Sequence, residues 1–195
     1  MSIRICIIDG HPDPDAARLI HALCDAYAEG ATGAGHIVTR INISELSISP
    51  LSAAADFETP PPEPVLSERE KIRAADHLVI AFPLWLGGMP AKLRAFFEQA
   101  ARADFFLGRG AGDAAWPAQM MKGKSARTII TMGMPGLVYR FVMDAGALKA
   151  LERGVLGISG FMPVNHTILG GAGDITPDTF RRWTRDLKEL GRTAS

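Results

Sequence analysis

His77-Leu78-Val79-Ile80-Ala81-Phe82-Pro83-Leu84-Trp85-Leu86-Gly87-Gly88-Met89-Pro90 is the stretch that decides the fold. From His77 to Phe82 the run is almost wholly apolar, with no polar alternation to mark a solvent face. It is also too short for a buried helix. A strand of this kind is covered on both faces, as in the middle of a parallel sheet. Gly87 and Gly88 then break the chain, and Pro90 suits the first turn of a helix. Leu93, Phe96, Phe97, Ala100 and Ala101 follow at helical spacing.

The same strand–loop–helix rhythm runs outward in both directions. Upstream, Ile3–Ile8 reads as a strand, Ala16–Glu29 as a helix ended by Gly30, Gly33 and Gly35, and Ile37–Ile43 as a second strand. Ser67 and Glu70 have the spacing of a capping box, which predicts a short helix beginning there. Downstream, Arg127–Thr131 is a strand, Asp144–Val155 a helix, Val164–Leu169 a fifth strand, and a helix capped by Thr176 closes the chain. Strands alternating with helices predict a doubly wound α/β fold with helices on both faces of a parallel sheet. The whole chain, 1–195, reads as one domain. Residues 49–65 and 104–124 are the long irregular connections, a length more often functional than accidental.

Composition narrows the function. Hydrophobic residues make up 47% and charged residues 22%, and the formal net charge is zero. Nothing points to nucleic acid. The longest apolar stretch, 78–91, is too short to span a bilayer and is broken by prolines. Cys6 and Cys24 do not make a disulfide scaffold and read as small buried side chains in a reducing cytoplasm. No pair among the histidines has metal-ligand spacing, so no metal site is expected. Gly123-Lys124-Ser125 lacks the upstream glycine of a phosphate-binding loop, since Ala118 stands there. Ser159 is followed by Phe161 where a nucleophile elbow needs glycine.

Doubly wound sheets bind ligands at the carboxyl ends of their strands. Three of those ends are unusual here. The first strand runs into Asp9-Gly10-His11-Pro12-Asp13-Pro14-Asp15, ahead of a helix N-terminus. The third runs into Pro83-Leu84-Trp85-Leu86-Gly87-Gly88. The fourth runs into Thr131-Met132-Gly133-Met134-Pro135-Gly136, followed by Tyr139. The first loop suits a phosphate, with His11 as an added donor or as a residue that fixes its own turn. Trp85 and Leu86 offer an apolar wall, or ordinary packing, and the glycines allow close backbone approach.

On His11-Pro12, on Phe82-Pro83-Leu84-Trp85 through Gly88-Met89-Pro90-Ala91, and on Thr131-Met132-Gly133 with Tyr139, the chain resembles the NAD(P)H:quinone oxidoreductase family of the flavodoxin-like fold. The resemblance implies a five-stranded sheet in the order 2-1-3-4-5. It implies FAD, or alternatively FMN, as cofactor and NADH or NADPH as electron donor. A quinone or similar small molecule is the implied acceptor, and the implied assembly is a homodimer, for which Phe105 and Phe106 are candidate interface residues. Cofactor contacts then fall to His11, Ala17, Arg18, Pro83, Leu84, Trp85, Leu86, Gly87, Thr131, Met132, Gly133, Met134 and Tyr139, with Tyr139 also the candidate catalytic residue. The chain departs from the family at the start of its first helix. Ala16, Ala17 and Arg18 stand where a hydroxyl, an aromatic and an asparagine are expected, and Asp9, Asp13 and Asp15 bring negative charge to that corner. A flavodoxin-like ancillary subunit that regulates a partner protein is therefore the alternative reading.

Overall fold

The computed structural model describes residues 2–110 and 116–195. Its strands are β1 (Arg4–Asp9), β2 (Ile37–Asn42), β3 (His77–Pro83), β4 (Leu107–Gly108), β5 (Ala118–Gln119), β6 (Ser125–Met132) and β7 (Val164–Gly170). The helices are α1 (Leu19–Gly33), α2 (Val65–Ala74), α3 (Ala91–Ala100), α4 (Gly136–Phe141), α5 (Gly146–Leu151) and α6 (Pro177–Thr193). Five strands form the main sheet in the order β2-β1-β3-β6-β7, parallel throughout. That is the order and fold class expected from the sequence. The short β4 and β5 pair antiparallel inside the 104–124 connection and stand apart from it.

β3 is central because its residues feed both faces of the sheet. Leu78, Ile80 and Phe82 join one apolar layer with Leu93, Phe96, Ile130, Leu148 and Leu151. Val79 and Ala81 join the other, with Ile7, Leu23, Tyr27, Ile129, Trp183 and Leu187. The two-residue period of a strand accounts for this split. Among the described residues no helix is long and apolar enough to cross a membrane.

Several element boundaries differ from the sequence reading, each for a local reason. α1 begins at Leu19, because the chain before it turns on its own aspartates: Asp13 accepts from Asp15 N, and Asp15 accepts from Ala17 N by its carboxylate and from Arg18 N by its carbonyl. It also runs through Gly30, which packs rather than terminates. A Cβ on Gly30 would lie 1.9 Å from the Lys188 carbonyl oxygen, and one on Gly191 would lie 2.1 Å from that of Tyr27. These two glycines let α1 and α6 cross in close contact. α2 starts at Val65, where the Glu63 carboxylate accepts from Ser67 N at 3.2 Å and from Ser67 Oγ at 2.7 Å. Asp144 and Ala145 are left-handed, at φ 53° and 48°, so α5 cannot begin before Gly146. It continues into a wider π turn over Glu152–Gly157. Phe105 and Phe106, expected at an interface, are instead each 3% exposed and part of the core. Phe106 packs on Phe97, and the guanidinium groups of Arg69 and Arg73 lie over the Phe105 ring.

Candidate functional site

The loops after β1, β3 and β6 emerge side by side, because those strands are neighbours in the sheet. Two backbone bonds extend the pairing to the loop bases: Gly10 N donates to Ala81 O at 2.7 Å, and Leu84 N donates to Thr131 O at 2.8 Å. Gly10 has no room for a side chain, since a Cβ would sit 2.7 Å from Leu93 and 2.8 Å from the Ala81 oxygen. The sheet therefore assembles the expected three loops at one edge.

Trp85 and Gly88 exchange two backbone hydrogen bonds, each 2.9 Å. Leu86 and Gly87 between them are both left-handed, at φ 47° and 76°. This is a two-residue turn of the primed kind. It holds the Trp85 ring half exposed and leaves Leu86 wholly exposed. The His11 ring meets Trp85 edge-on, with centroids 5.8 Å apart. Pro83 and Leu84 are partly buried beneath the turn. Met143 Cε approaches to 3.8 Å from where a Gly87 Cβ would be, so the exposed apolar residues Leu137, Phe141 and Val142 lie on the segment bordering the turn.

The loop after β6 contributes differently from expectation. Thr131 and Met132 are each 4% exposed, inside the strand, and the Thr131 carbonyl is already taken by Leu84. Their side chains are therefore buried, and any contact they make with a ligand is through backbone. The accessible part starts at Gly133, where a Cβ would meet nothing within 4 Å. Met134 is partly buried against the core, and its carbonyl accepts from Gly171 N at 3.1 Å. Tyr139 is turned inward. Its side chain is fully buried, and its hydroxyl accepts from Leu148 N at 3.1 Å, at the start of α5. Burial also raises the pKa of its hydroxyl. The tyrosine thus fastens α5 to α4 instead of opening toward the loops.

The loop after β1 is tied up by its own side chains. Arg18 Nε donates to Asp13 at 2.8 Å, and its Nη2 lies 3.4 Å from Asp15. Ala17 is exposed, and its N–H donates to the Asp15 carboxylate at 3.0 Å. Beneath the loop lies a charged cluster that sequence reasoning did not assemble. Asp9, 1% exposed, accepts from His21 Nδ1 at 2.6 Å and pairs with Arg40, which also pairs with Asp25. Burial opposes a charge on His21, but the bonds to Asp9 and to the Asp13 carbonyl prevail and raise its pKa. Burial lowers that of His11. The β1–β2 register sets Arg40 beside Ile7, two residues from Asp9, and that register was the missing signal.

Comparisons with known proteins agree with this architecture. The sequence profile of a family described as flavodoxin-like fold matches residues 3–190. Over 118 residues the chain is 27% identical to NAD(P)H dehydrogenase (quinone) 1 of Rattus norvegicus, a match covering 58% of this chain and 42% of the rat protein. The structure of an NAD(P)H:quinone oxidoreductase from Methanothermobacter marburgensis superimposes with a TM-score of 0.79 at 21% identity, over 100% of both chains. That of an FMN-dependent NADH-azoreductase from Bacillus anthracis, solved with FMN, gives 0.76 at 16% identity, again over 100% of both. At such identities the solved structures speak for the fold. The protein belongs to the flavodoxin-like fold family.

Proposed function

We propose that the protein is an NAD(P)H oxidoreductase that passes a hydride through a bound flavin to a quinone or similar small acceptor. One observation carries this reading. At the carboxyl edge of the sheet, Trp85 is half exposed and Leu86 wholly exposed on the loop after β3, and the neighbouring loop after β6 is open at Gly133, where a Cβ would meet nothing within 4 Å; these two loops are the sides of the proposed apolar shelf. A flat aromatic ring system matches that shelf, and the site lies where doubly wound sheets take their ligands. FAD is the proposed form, with FMN the alternative, and NADH and NADPH are both suitable donors.

When bound, the flavin supplies the capacity to accept and return two electrons as a hydride. The chain's own residues do the rest. Trp85 and Leu86 keep water from one face of the shelf, and His11 holds the Trp85 ring edge-on. Gly133 lets a ring approach the backbone closely. Tyr139 acts at one remove, as a positioning residue that fixes α4 and α5 behind the loop. The exposed apolar segment Leu137–Met143 is the proposed contact surface of a homodimer, in place of the buried Phe105 and Phe106. Two free, buried cysteines suit a cytoplasmic protein.

The test is a fluorescence titration of the protein with riboflavin, FMN and FAD, followed by an assay of NAD(P)H consumption with a quinone. Binding of a flavin and quinone-dependent turnover are expected. If no flavin binds, the ancillary-subunit reading takes over, which the self-bonded loop after β1 favours.

A further inference from the structure

We propose that this chain holds a flavin by its ring and not by its phosphate, so that riboflavin binds about as well as FMN. The inference rests on the flavin reading above and concerns the loop from Asp9 to Arg18. That loop precedes α1, where a phosphate would ordinarily meet free N–H groups. Here most of the loop's own N–H groups are already spent, and the donors that remain are those of Ala16 and of Leu19 and Ile20 in the first turn of α1. Asp9 accepts from His11 N at 3.3 Å, His11 Nδ1 from Asp13 N at 3.1 Å, Asp13 from Asp15 N at 3.0 Å and Asp15 from Ala17 N at 3.0 Å. Each side chain thus serves the backbone two residues on. Pro12 and Pro14, at the positions between, have no N–H at all. Arg18 N donates to Asp15 O at 2.9 Å. Among the donors from His11 to Arg18, only that of Ala16 is left.

The side chains give little compensation, the unbonded Nε2 of His11 apart. Residues 10–18 contain no Ser, Thr, Asn or Lys. Arg18 is the loop's one fixed cation, and it is held by two carboxylates, Asp13 and Asp15. Since Arg18 immediately precedes the first helical residue, those carboxylates stand at the mouth of α1. They set negative charge beside the entry to the helix. A phosphate entering there would have to break the clasp and then lie against two displaced negative charges. Below the loop, His21 and Arg40 are engaged by Asp9 and Asp25 and are not free to answer it. The ring shelf, by contrast, needs none of these groups.

The experiment compares dissociation constants of riboflavin, FMN and FAD for the flavin-free protein, read from fluorescence quenching at low and moderate salt. Riboflavin and FMN should agree within about threefold, with little change on adding salt, because no phosphate contact is there to be screened. FMN binding about tenfold or more tightly than riboflavin would overturn this proposal while leaving the flavin reading intact, since a charge-assisted phosphate contact would then exist. Binding of none of the three would overturn both. A double variant, Asp13→Asn with Asp15→Asn, should tighten FMN by about fivefold or more and leave riboflavin unchanged, because it releases Arg18 to form a phosphate contact that the wild type lacks. Unchanged FMN affinity in a variant with native circular dichroism would overturn the role given to these carboxylates.

Discussion

A side chain built onto Gly133 would meet no atom of the protein within 4 Å, and its φ is not left-handed. Valine is therefore tolerated by the fold there and intrudes only on whatever lies against the loop. Gly133→Val is expected to weaken flavin binding by about tenfold or more, with a stability change under about 1 kcal/mol. Tyr139→Phe makes the opposite case. It leaves the buried Leu148 N–H without its partner, which costs about 1–2 kcal/mol. Flavin affinity should change little. Dissociation constants and thermal melts of both variants check this, and equal flavin affinities in the two folded proteins would move the site elsewhere. At this scale the sequence was informative about backbone, as at the left-handed Gly87 and the open Gly133. It was misleading where a side chain has two possible directions. Tyr139 reads as facing the loops and points inward, and the side chains of Thr131 and Met132 are buried within the strand.

Among the elements, the α1–α6 crossing depends on Gly30 and Gly191 more than on any apolar pair. Gly191→Ala would press a methyl group toward the Tyr27 carbonyl, where 2.1 Å is available. Overpacking of this kind costs about 1–3 kcal/mol, and the expected loss is at the upper end because the obstacle is backbone. Denaturant unfolding measures it; a loss within error would mean that the helices separate without cost. The start of β3 holds a pH-sensitive feature. His77 is 2% exposed, donates to or accepts from Ser125 Oγ at 2.7 Å, and has its Nε2 buried without a partner among the described residues. Burial, aided by Arg127, lowers its pKa from 6.5 to about 4. The folded state therefore favours neutral His77. Its contribution is complete above the unfolded pKa and is lost as pH falls from 6.5 toward 4. That loss is at most about 3 kcal/mol. His77→Gln should flatten the decline of melting temperature over this window, and an unchanged decline would assign it to other groups. Strand and helix identities were legible from period and punctuation. Their boundaries were not, because Glu63 and Asp15 bond the backbone from outside the pattern that announces a helix.

For the molecule as a whole, the sheet order followed from the alternation of elements together with the family resemblance, and the cluster of three loops followed from the sheet. What did not follow was pairing across the sheet. The Asp9–His21–Arg40 cluster needs the β1–β2 register, and the burial of Phe105 and Phe106 needs α2 and α3 in place. A glycine-rich connection suggested exposure for those rings, whereas Arg69, Arg73 and Phe97 enclose them. The exposed apolar residues include Trp85, Leu86, Leu137, Phe141, Val142 and Met143 around the turn and α4, together with Trp116 at 73% exposure. Such a surface on a chain of zero net charge favours self-association. Light scattering at micromolar concentration should report a dimer, and Phe141→Glu with Val142→Lys should return it to monomer without unfolding. A wild-type monomer would remove the proposed contact surface.

The turn that carries Leu86 has a further consequence. Its geometry asks for asparagine or glycine at that position, and leucine in the left-handed region costs the fold about 1 kcal/mol. The side chain repays none of this within the protein, since it is wholly exposed. Folding by itself therefore gives no reason for leucine there. A replacement that accepts the left-handed turn would leave the sheet as it is and alter only the lip of the proposed shelf. Natural selection acting on what the protein accepts has in this tip a variable that it can change without renegotiating stability.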